Sequence, residues 1–273
     1  MAGLANIVKN EKNIVTDAYQ QVASHNAIYR GKVLVDTTGG TAPYTLSQLQ
    51  ALVNAGNFSD IYVGDEIRVN IDSKLARFIV MAIDWYINVG DTPLTSHHLV
   101  LVPKDILGIA RMNGTDTTKG AYTGSEMFKT HLPEFATKIS TALDSHILTW
   151  RSLMSNATNT TATTAGYSGW SGCASGWAWT DTNCRLLSEV DVYGSSIWGN
   201  AWDVGEFNRQ LPGFAMNPEL LVKLNPEDNS HYHWWLCTVA NSTNFAFVDG
   251  GGYANSYGGA SHAYGVVPKV LFG

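Results

Sequence analysis

Histidines are the first residues in this chain to consider for chemistry, because a neutral imidazole is a common metal ligand. The closest pairs are His97 with His98 and His231 with His233. Neighbouring residues of a strand point to opposite faces, which places His97 and His98 badly for sharing one ion. His231 and His233 would share a face, but no carboxylate or cysteine stands beside them to complete a metal site. The sequence therefore predicts neither a metal nor a cofactor.

Residues typical of enzyme active sites are also sparse. The chain contains no glycine-rich nucleotide loop and no G-x-S-x-G nucleophile turn. Carboxylates that hydrolyse glycosides are brought together by folding, so their spacing in sequence carries no signal. The acidic residues that could take this role, or could equally be solvated surface groups, are Asp181, Glu189, Asp203 and Glu206. We predict that the protein is not an enzyme.

The cysteines Cys173, Cys184 and Cys237 are too few, and odd in number, for a disulfide framework. Cys173 and Cys184 bracket a segment rich in glycine and tryptophan, and they would pair only after oxidation. The paired and the reduced states of these two residues both stay open from the sequence.

The segment from residue 241 to residue 265 has the composition of a binding surface. It contains no Lys, Arg or Glu, and Gly, Asn, Ser and Tyr dominate it. Tyrosine supplies flat contact area at low entropic cost, and Asn and Ser adapt their hydrogen bonds, which is why recognition loops use this mixture. Aromatic faces also stack on sugar rings while amides bind hydroxyl groups. We expect a saccharide to be bound by Asn241, Asn244, Tyr253, Asn255, Tyr257 and His262.

The alternative for these aromatic residues is a place in the core, with the glycines only shaping turns. We expect that role for Phe245 and Phe247, which alternate with Ala246 and Val248 along a predicted strand. Trp234 and Trp235 are predicted to be core residues as well. For the tyrosines that follow the glycine run, both roles stay open.

A second aromatic segment, residues 156–183, is too polar and too rich in glycine for a core element. A long loop of this kind is either functional or mobile. We predict a loop whose tryptophans add to the rim of the same saccharide site, namely Trp170, Trp177 and Trp179.

The elements that must position these residues begin with a helical region over residues 6–29. Val8, Val15, Val22 and Tyr29 recur every seven residues, which is typical of a helix with an apolar seam. The seam is too short and too polar for a stable isolated helix. It packs either against copies of itself or against its own domain.

A second helix follows, with Thr45 and Gln48 fitting a capping box and Gly56 ending the apolar pattern. We predict that residues 1–60 form a small helical module for attachment and oligomerisation. One domain over residues 61–273 then contains the candidate saccharide site.

Strand-like and helical segments are mixed along that domain. Residues 76–86 and 98–103 are dense in β-branched and aromatic residues, which favours strands. A helix is predicted near Pro133 and another over residues 184–194, ending at Gly194. Strand patterns return near the C-terminus, so the fold class is α+β.

The net charge of −6 and the lack of a basic cluster argue against nucleic acid or an anionic membrane as a partner. No run approaches the roughly 20 apolar residues of a membrane helix. The first residues also lack the pattern of a secretory signal, so we expect folding in a cytoplasm.

The order of motifs near the C-terminus resembles a known family. Trp-Trp-Leu opens a strand at 234–236, a second strand and a Gly/Asn/Tyr loop follow, and YGVVPKV stands at 264–270. This order is similar to the C-terminal signature of C-type-lectin-like domains in Firmicutes phage and bacterial surface proteins. Upstream, the segments at 58–67 and 189–194 resemble parts of phage virion proteins. Val267 stands where the family usually has an arginine.

The resemblance implies a C-type-lectin-like domain behind an N-terminal attachment module, displayed on a phage virion as a head fibre or tail-tip appendage. It implies a homo-oligomer, with a trimer as one arrangement, whose N-terminal module binds other virion proteins. The same fold serves the variable proteins of diversity-generating retroelements, which also carry their binding residues in a Tyr/Asn/Ser-rich segment near the C-terminus. By this analogy we expect the C-terminal loop to be the binding segment, with host surface polysaccharide as its ligand. The alternatives are a capsid decoration protein without a ligand and a glycan-degrading appendage.

Overall fold

The computed structural model describes residues 30–159, 172–203 and 205–273. The predicted helix over residues 6–29 and the predicted site residue Trp170 lie outside these ranges. The described part is rich in strands with a few short helices, which confirms the α+β class. None of its helices has the length and apolar character needed to span a membrane.

The strands are numbered in chain order. They are β1 (Val33–Asp36), β2 (Glu66–Ile71), β3 (Lys74–Ile83), β4 (Leu99–Pro103), β5 (Ile109–Ala110), β6 (Ile147–Leu148), β7 (Trp150–Thr158), β8 (Ala174–Thr182), β9 (Arg185–Leu186), β10 (Lys223–Leu224), β11 (His231–Tyr232), β12 (Trp234–Val239), β13 (Phe245–Val248), β14 (Ala254–Asn255), β15 (Tyr264–Gly265) and β16 (Pro268–Phe272).

Two sheets and a long hairpin organise these strands. Within the described residues, the main sheet has the order β1, β2, β3, β4, β16, β6, and β9 also pairs with β16. A second sheet has the order β14, β13, β12, β15, β5. The strands β7 and β8 form a separate antiparallel hairpin, and β10 pairs with β11. The last strand, β16, thus lies between β4 and β6 inside the main sheet, and its residues are buried.

The long apolar runs of the sequence arise because both sheets are covered on both faces. Phe78 and Val80 of β3 enter one apolar cluster, whereas Ile79 and Met81 enter another on the opposite face. The same alternation holds in β12 and β13. A strand with two buried faces needs apolar residues at every position, which explains why period-two patterns are weak here.

The helices are short and pack on these sheets. They are α1 (Leu46–Asn54), α2 (Ala121–Gly124), a π-helix (Met127–His131), α3 (Leu132–Ala142), α4 (Glu189–Tyr193), α5 (Pro212–Met216) and a 3-10 helix (Pro218–Leu221).

The predicted start of α1 is confirmed. The side chain of Thr45 accepts from the N–H of Gln48, and the side chain of Gln48 accepts from the N–H of Thr45. Gly56 follows the helix with a left-handed φ of 64°.

Residues 30–60 are part of the same sheet and core as the rest of the described chain. The strand β1 pairs in parallel with β2, and Leu49 and Val53 of α1 are buried in one of the two apolar clusters. The sheet and core therefore continue across residue 60, where the sequence suggested a domain boundary.

Two secondary-structure predictions were wrong. Residues 174–182, predicted to be loop, form the nine-residue strand β8, which pairs with β7 at eight positions. The predicted helix over residues 184–194 is only five residues long, because Arg185 and Leu186 pair with β16 as β9. In both cases long-range strand pairing decides the local structure, and the local composition does not reveal it. The predicted end of the helix at Gly194 is confirmed, with a left-handed φ of 81°.

Two ion pairs are buried in the core. Lys269 of β16 contacts Asp191 of α4 at 2.9 Å, and Arg185 of β9 contacts Glu206 at 3.2 Å. Burial acts to raise the pKa of Asp191, but the charges of Lys269 and Arg185 outweigh it and hold that pKa below the usual range. The ion pair between Lys269 and Asp191 thus connects the short helix α4 to strand β16 of the main sheet.

Candidate binding surface

Most of the exposed large apolar side chains in the described part of the chain lie in two loops. The first loop is residues 196–203 and the second loop is residues 249–257. Six large apolar side chains are exposed among the described residues, and only Leu75 and Ile109 lie elsewhere. The four in the two loops are Ile197 (48% exposed), Trp202 (68%), Tyr253 (73%) and Tyr257 (83%). This concentration marks the two loops as the candidate site.

The second loop contacts both the first loop and the end of α4. The rings of Trp198 and Tyr257 lie 6.1 Å apart between centroids, at an angle of 60°. The hydroxyl of Tyr193, at the end of α4, donates to the carbonyl of Gly252 at 3.0 Å. The first loop follows α4 directly, so the helix and the second loop hold it from both sides.

A buried carboxylate anchors the first loop. Glu189, in the first turn of α4, is fully buried. Its side chain accepts from the backbone N–H groups of Ile197 at 2.9 Å, Trp198 at 3.1 Å and Gly199 at 3.1 Å. Desolvation raises the pKa of Glu189, and the three backbone donors oppose that rise. One side chain thus satisfies three successive backbone donors of a loop.

The far end of the first loop has its own anchors. The indole Nε1 of Trp177, on β8, donates to Asp203 at 2.7 Å. The amide of Asn200 donates to the carbonyl of Ala174 at 2.9 Å and accepts from the N–H of Trp202 at 3.0 Å. Burial raises the pKa of Asp203, while the bond from Trp177 opposes the rise. The exposed Trp202 therefore stands on a backbone fixed by buried polar groups.

The second loop is shaped mainly by its own side chains. Asp249 accepts from the N–H groups of Gly251 at 2.8 Å and Tyr253 at 3.1 Å. The N–H of Gly250 donates to Nδ1 of His233 at 2.9 Å. The side chain of Asn255 accepts from the N–H of Tyr257 at 3.0 Å. These turns leave both tyrosine rings directed into solvent.

The predicted site residues separate into exposed rings and turn-forming amides. Tyr253 and Tyr257 are exposed, as a binding role requires. The side-chain oxygen of Asn241 accepts from the N–H groups of Thr243 and Asn244, so it shapes a turn. The amide of Asn244 donates to the carbonyl of Ser256 at 2.6 Å. The amides of this segment therefore hold the backbone that carries the rings.

The remaining predicted residues lie around the two loops. His262 is exposed, and its Nδ1 lies 3.1 Å from the carbonyl of Gly259. Trp177 is half-buried, packs against the core and donates from Nε1 to Asp203 of the first loop. Trp179 is half-buried opposite Leu153 in the hairpin of β7 and β8.

Sequence reasoning missed Trp198 and Trp202. Both lie in the stretch SSIWGNAWD, residues 195–203, which follows the end of α4 at Gly194. The sequence pattern of this stretch could have indicated a loop that carries tryptophans. Two tryptophans separated by Gly, Asn and Ala, without an apolar period, do not fit a core element. Nε1 of Trp198 is buried and has no hydrogen-bond partner in the described part of the chain. A donor of this kind costs free energy and is a feature that needs a functional or structural explanation.

The four acidic residues considered for glycoside hydrolysis are not free to act together. Glu189 and Asp203 are buried and bind loop and indole donors, and Glu206 is paired with the buried Arg185. Asp181 is exposed and lies 3.4 Å from Arg151. In residues 30–159, 172–203 and 205–273, no group of three or more His, Cys, Asp or Glu side chains could hold a metal ion.

The three cysteines are all buried. Sγ of Cys173 lies 2.9 Å from the carbonyl oxygen of Ala240, and Arg185 donates to Sγ of Cys237 at 3.4 Å. Burial raises the pKa of Cys184 and of Cys237. These thiols are core groups.

The surface formed by the first and second loops is aromatic, rich in amide groups and without Lys or Arg. The exposed parts of residues 195–202 and 250–261 contain no Lys or Arg that would pair with an anion. Such a surface can stack on a flat, weakly polar ligand and hydrogen-bond its hydroxyl groups. No family model, curated protein or solved structure matches this chain.

Proposed function

We propose that this protein binds a neutral saccharide of a host cell surface through the first and second loops, without cleaving it. The main observation behind the proposal is that exposed aromatic rings lie on a loop whose backbone is held by buried carboxylates. Trp202 and Tyr257 are mostly exposed, while Glu189 and Asp203 beneath the first loop are buried. Exposing large aromatic rings on a fixed backbone is costly for folding and favourable for binding, because less freedom is lost when a ligand arrives.

The charge of the surface favours a neutral ligand over an anionic one. Recognition of phosphate or carboxylate normally uses Arg or Lys. The nearest arginine in sequence, Arg209, stacks on Trp85 at 3.9 Å from the ring centroid. A sugar without charged groups needs only ring faces and amide or hydroxyl partners, and the two loops supply both.

The expected setting of this activity is the surface of a phage particle. This part of the proposal is supported by the order of motifs in the sequence, which resembles phage virion proteins with C-type-lectin-like domains. The α+β architecture, with the last strand paired between β4 and β6, is compatible with that kind of domain. In that setting the chain is a displayed homo-oligomer, and its saccharide is a host polysaccharide.

Binding without cleavage can be tested on an array of immobilised oligosaccharides. The array carries neutral hexose chains, N-acetylhexosamine chains and uronic-acid chains, and the full-length protein is applied and detected by antibody. We expect retention on a subset of the neutral chains and none on the uronic-acid chains. Retention on anionic chains alone would contradict the charge argument.

The same array separates the other two functions. A glycan-degrading appendage would release reducing ends from a chain that it binds, which a colorimetric assay detects. A decoration protein without a ligand would bind no chain. Either result would overturn the proposal, because it requires binding and an intact ligand.

A further inference from the structure

The backbone of residues 197–199 depends on one side chain for its hydrogen bonds. Ile197, Trp198 and Gly199 all donate their N–H groups to the carboxylate of Glu189, and Ser196 Oγ lies 3.5 Å from the same group. Glu189 is fully buried, so water does not compete for these donors. Buried backbone donors must find acceptors, and here a single carboxylate is the acceptor for three of them.

The position of this loop is fixed from the other side by β12. A Cβ atom at Gly199 would lie 2.3 Å from Cγ2 of Thr238, so the loop backbone is pressed against that strand. The N–H of Glu189 donates to Oγ1 of the same Thr238 at 3.1 Å. The loop is therefore held between the carboxylate and the strand and has little freedom to move as a body.

The helix that carries Glu189 is itself held in place. Ser188 and Asp191 form a capping box at the start of α4. Asp191 also accepts from the buried Lys269 at 2.9 Å. A chain of contacts thus leads from β16 through α4 to the backbone of Trp198, whose ring meets Tyr257.

We infer that Glu189 is the positioning residue of the binding surface, because its ionised carboxylate sets the backbone of residues 197–199 and hence the place where Trp198 meets Tyr257. The importance of this residue for ligand binding rests on the proposed function. Its effect on the loop does not, and it can be measured without any ligand.

The geometry has a consequence for pH. A carboxylate accepts three N–H groups, whereas a carboxylic acid carries a proton that opposes them. Burial raises the pKa of Glu189, so it takes up a proton at a higher pH than an exposed glutamate. The other titratable groups that face it are Asp203, at the far end of the loop, and Tyr193 of α4. We expect the loop to lose its shape as the pH falls through the pKa of Glu189.

The ligand-free test compares amide hydrogen exchange in the wild type and in Glu189→Gln. Glutamine keeps the volume but turns one acceptor oxygen into an NH2 group that cannot accept. We expect exchange at residues 197–199 to be at least tenfold faster, with Leu236 of β12 unchanged. The matched control is Glu219→Gln, because Glu219 is an exposed glutamate in the 3-10 helix. This substitution should leave the exchange rates of residues 197–199 and Leu236 unchanged. Unchanged exchange at residues 197–199, or equal acceleration at Leu236, would overturn the inference.

A second measurement needs no variant. In NMR spectra of the wild type, the amide signals of residues 197–199 should shift together as the pH is lowered, with a midpoint above that of an exposed glutamate. The Nε1 signal of Trp177 reports Asp203 separately, because it donates to that carboxylate. If the amides of residues 197–199 follow only the Trp177 signal, or do not titrate, Glu189 does not position the loop.

The binding readout uses whichever neutral oligosaccharide the array retains. Glu189→Gln should weaken its binding at least tenfold at pH 7.5, and Glu219→Gln should not. Full binding by a variant whose loop amides exchange faster would overturn the role in binding while leaving the loop result standing. Failure of the wild type to bind any oligosaccharide would count against the proposed function, and the exchange and NMR results would still decide the role of Glu189.

Discussion

At the scale of single residues, burial separates the aromatic side chains near the C-terminus into two groups. Phe245 and Phe247 are buried, as their alternation along a strand predicted, whereas Tyr253 and Tyr257 are exposed. The sequence could predict the first group because strand periodicity is local. It left the tyrosines open because their exposure depends on turns made by Asp249 and Asn255, and an asparagine that binds a ligand looks the same in sequence as one that binds its own backbone.

Lys223 is the residue whose charge state should depend most clearly on pH. It is buried, its ammonium donates to the carbonyl of Pro103 at 2.9 Å, and the rings of Phe214 and Trp234 lie within 6 Å of it. Desolvation lowers its pKa to about 7, against an opposing effect of Asp105. In the unfolded chain a lysine has a pKa of about 10.4.

The free energy of unfolding should therefore rise with pH above neutrality. Between pH 7 and about 10.4 the unfolded chain binds a proton at Lys223 that the folded chain does not, which contributes about 1.4 kcal/mol per pH unit. The cost of burying Lys223 builds up as the pH falls from about 10.4 to about 7, is fully present below the folded pKa, and disappears as the pH rises toward the unfolded pKa. Urea unfolding at pH 7.0, 7.75 and 8.5 should give a steeper rise for the wild type than for Lys223→Met.

The control for this experiment is Lys119→Met, which makes the same chemical change at an exposed position. Its pH slope should equal that of the wild type, and Lys223→Met should be the more stable protein at pH 7. Equal slopes for the wild type and Lys223→Met would show that Lys223 stays charged in the fold.

At the scale of elements, the predictions that held depend on neighbours in sequence. The start of α1 follows from Thr45 and Gln48, and the end of α4 follows from Gly194, since caps need only the adjacent turn. The predictions that were wrong depend on distant partners. The strand β8 exists because it pairs with β7, and β9 exists because it pairs with β16. Trp177 consequently lies on β8, where its indole donates to Asp203 of the first loop.

The attachment of α4 to the main sheet can be tested through Lys269. Removing one partner of a buried ion pair leaves an uncompensated charge, which typically costs about 3–5 kcal/mol. We expect Lys269→Met to lower the free energy of unfolding by that amount, because Asp191 loses its buried cation. Urea unfolding at pH 7 measures the change.

A double variant separates the ion pair from simple packing. Lys269→Met combined with Asp191→Asn removes both charges, so it should recover part of the loss. A single Lys269→Met variant within about 1 kcal/mol of the wild type would mean that the pair does not hold α4.

At the scale of the whole molecule, two sheets with two buried faces each form the scaffold, and the first and second loops lie beside α4 and the second sheet. The α+β class was predictable because strand and helix patterns were visible in separate segments. The strand order was not, since it places β16 between β4 and β6, far from both in sequence. The C-type-lectin-like domain, the virion setting and the homo-oligomer stay proposals based on motif resemblance.

Self-association through the N-terminal segment is a prediction for the intact chain. The seam of Val8, Val15, Val22 and Tyr29 is outside the described residues. Arg30 is inside them and is paired with Asp60 and with the buried Asp65. We therefore expect a protein that lacks residues 1–29 to keep its melting temperature, since Arg30 is retained, and to form smaller oligomers.

Light scattering coupled to size exclusion measures the mass of both proteins. The full-length chain should be an oligomer, with a trimer as one arrangement, and the shortened chain should have a lower mass. Equal masses would assign self-association, if present, to the described residues. A monomeric full-length chain would contradict the prediction.

Titration calorimetry with ring-deleted proteins measures whether the exposed rings of the two loops bind a neutral saccharide. The titrant is the neutral oligosaccharide retained on the array, and the proteins are the wild type, Trp202→Ala, Tyr257→Ala and Leu75→Ala. Leu75 is 51% exposed on β3, outside the two loops, and so controls for loss of an exposed apolar side chain. We predict that Trp202→Ala and Tyr257→Ala each weaken binding about tenfold or more, because aromatic contacts dominate such interfaces and about 1.4 kcal/mol corresponds to tenfold. Leu75→Ala should bind like the wild type, and all three variants should keep its melting temperature. Wild-type affinity in both loop variants would show that these rings do not bind the saccharide.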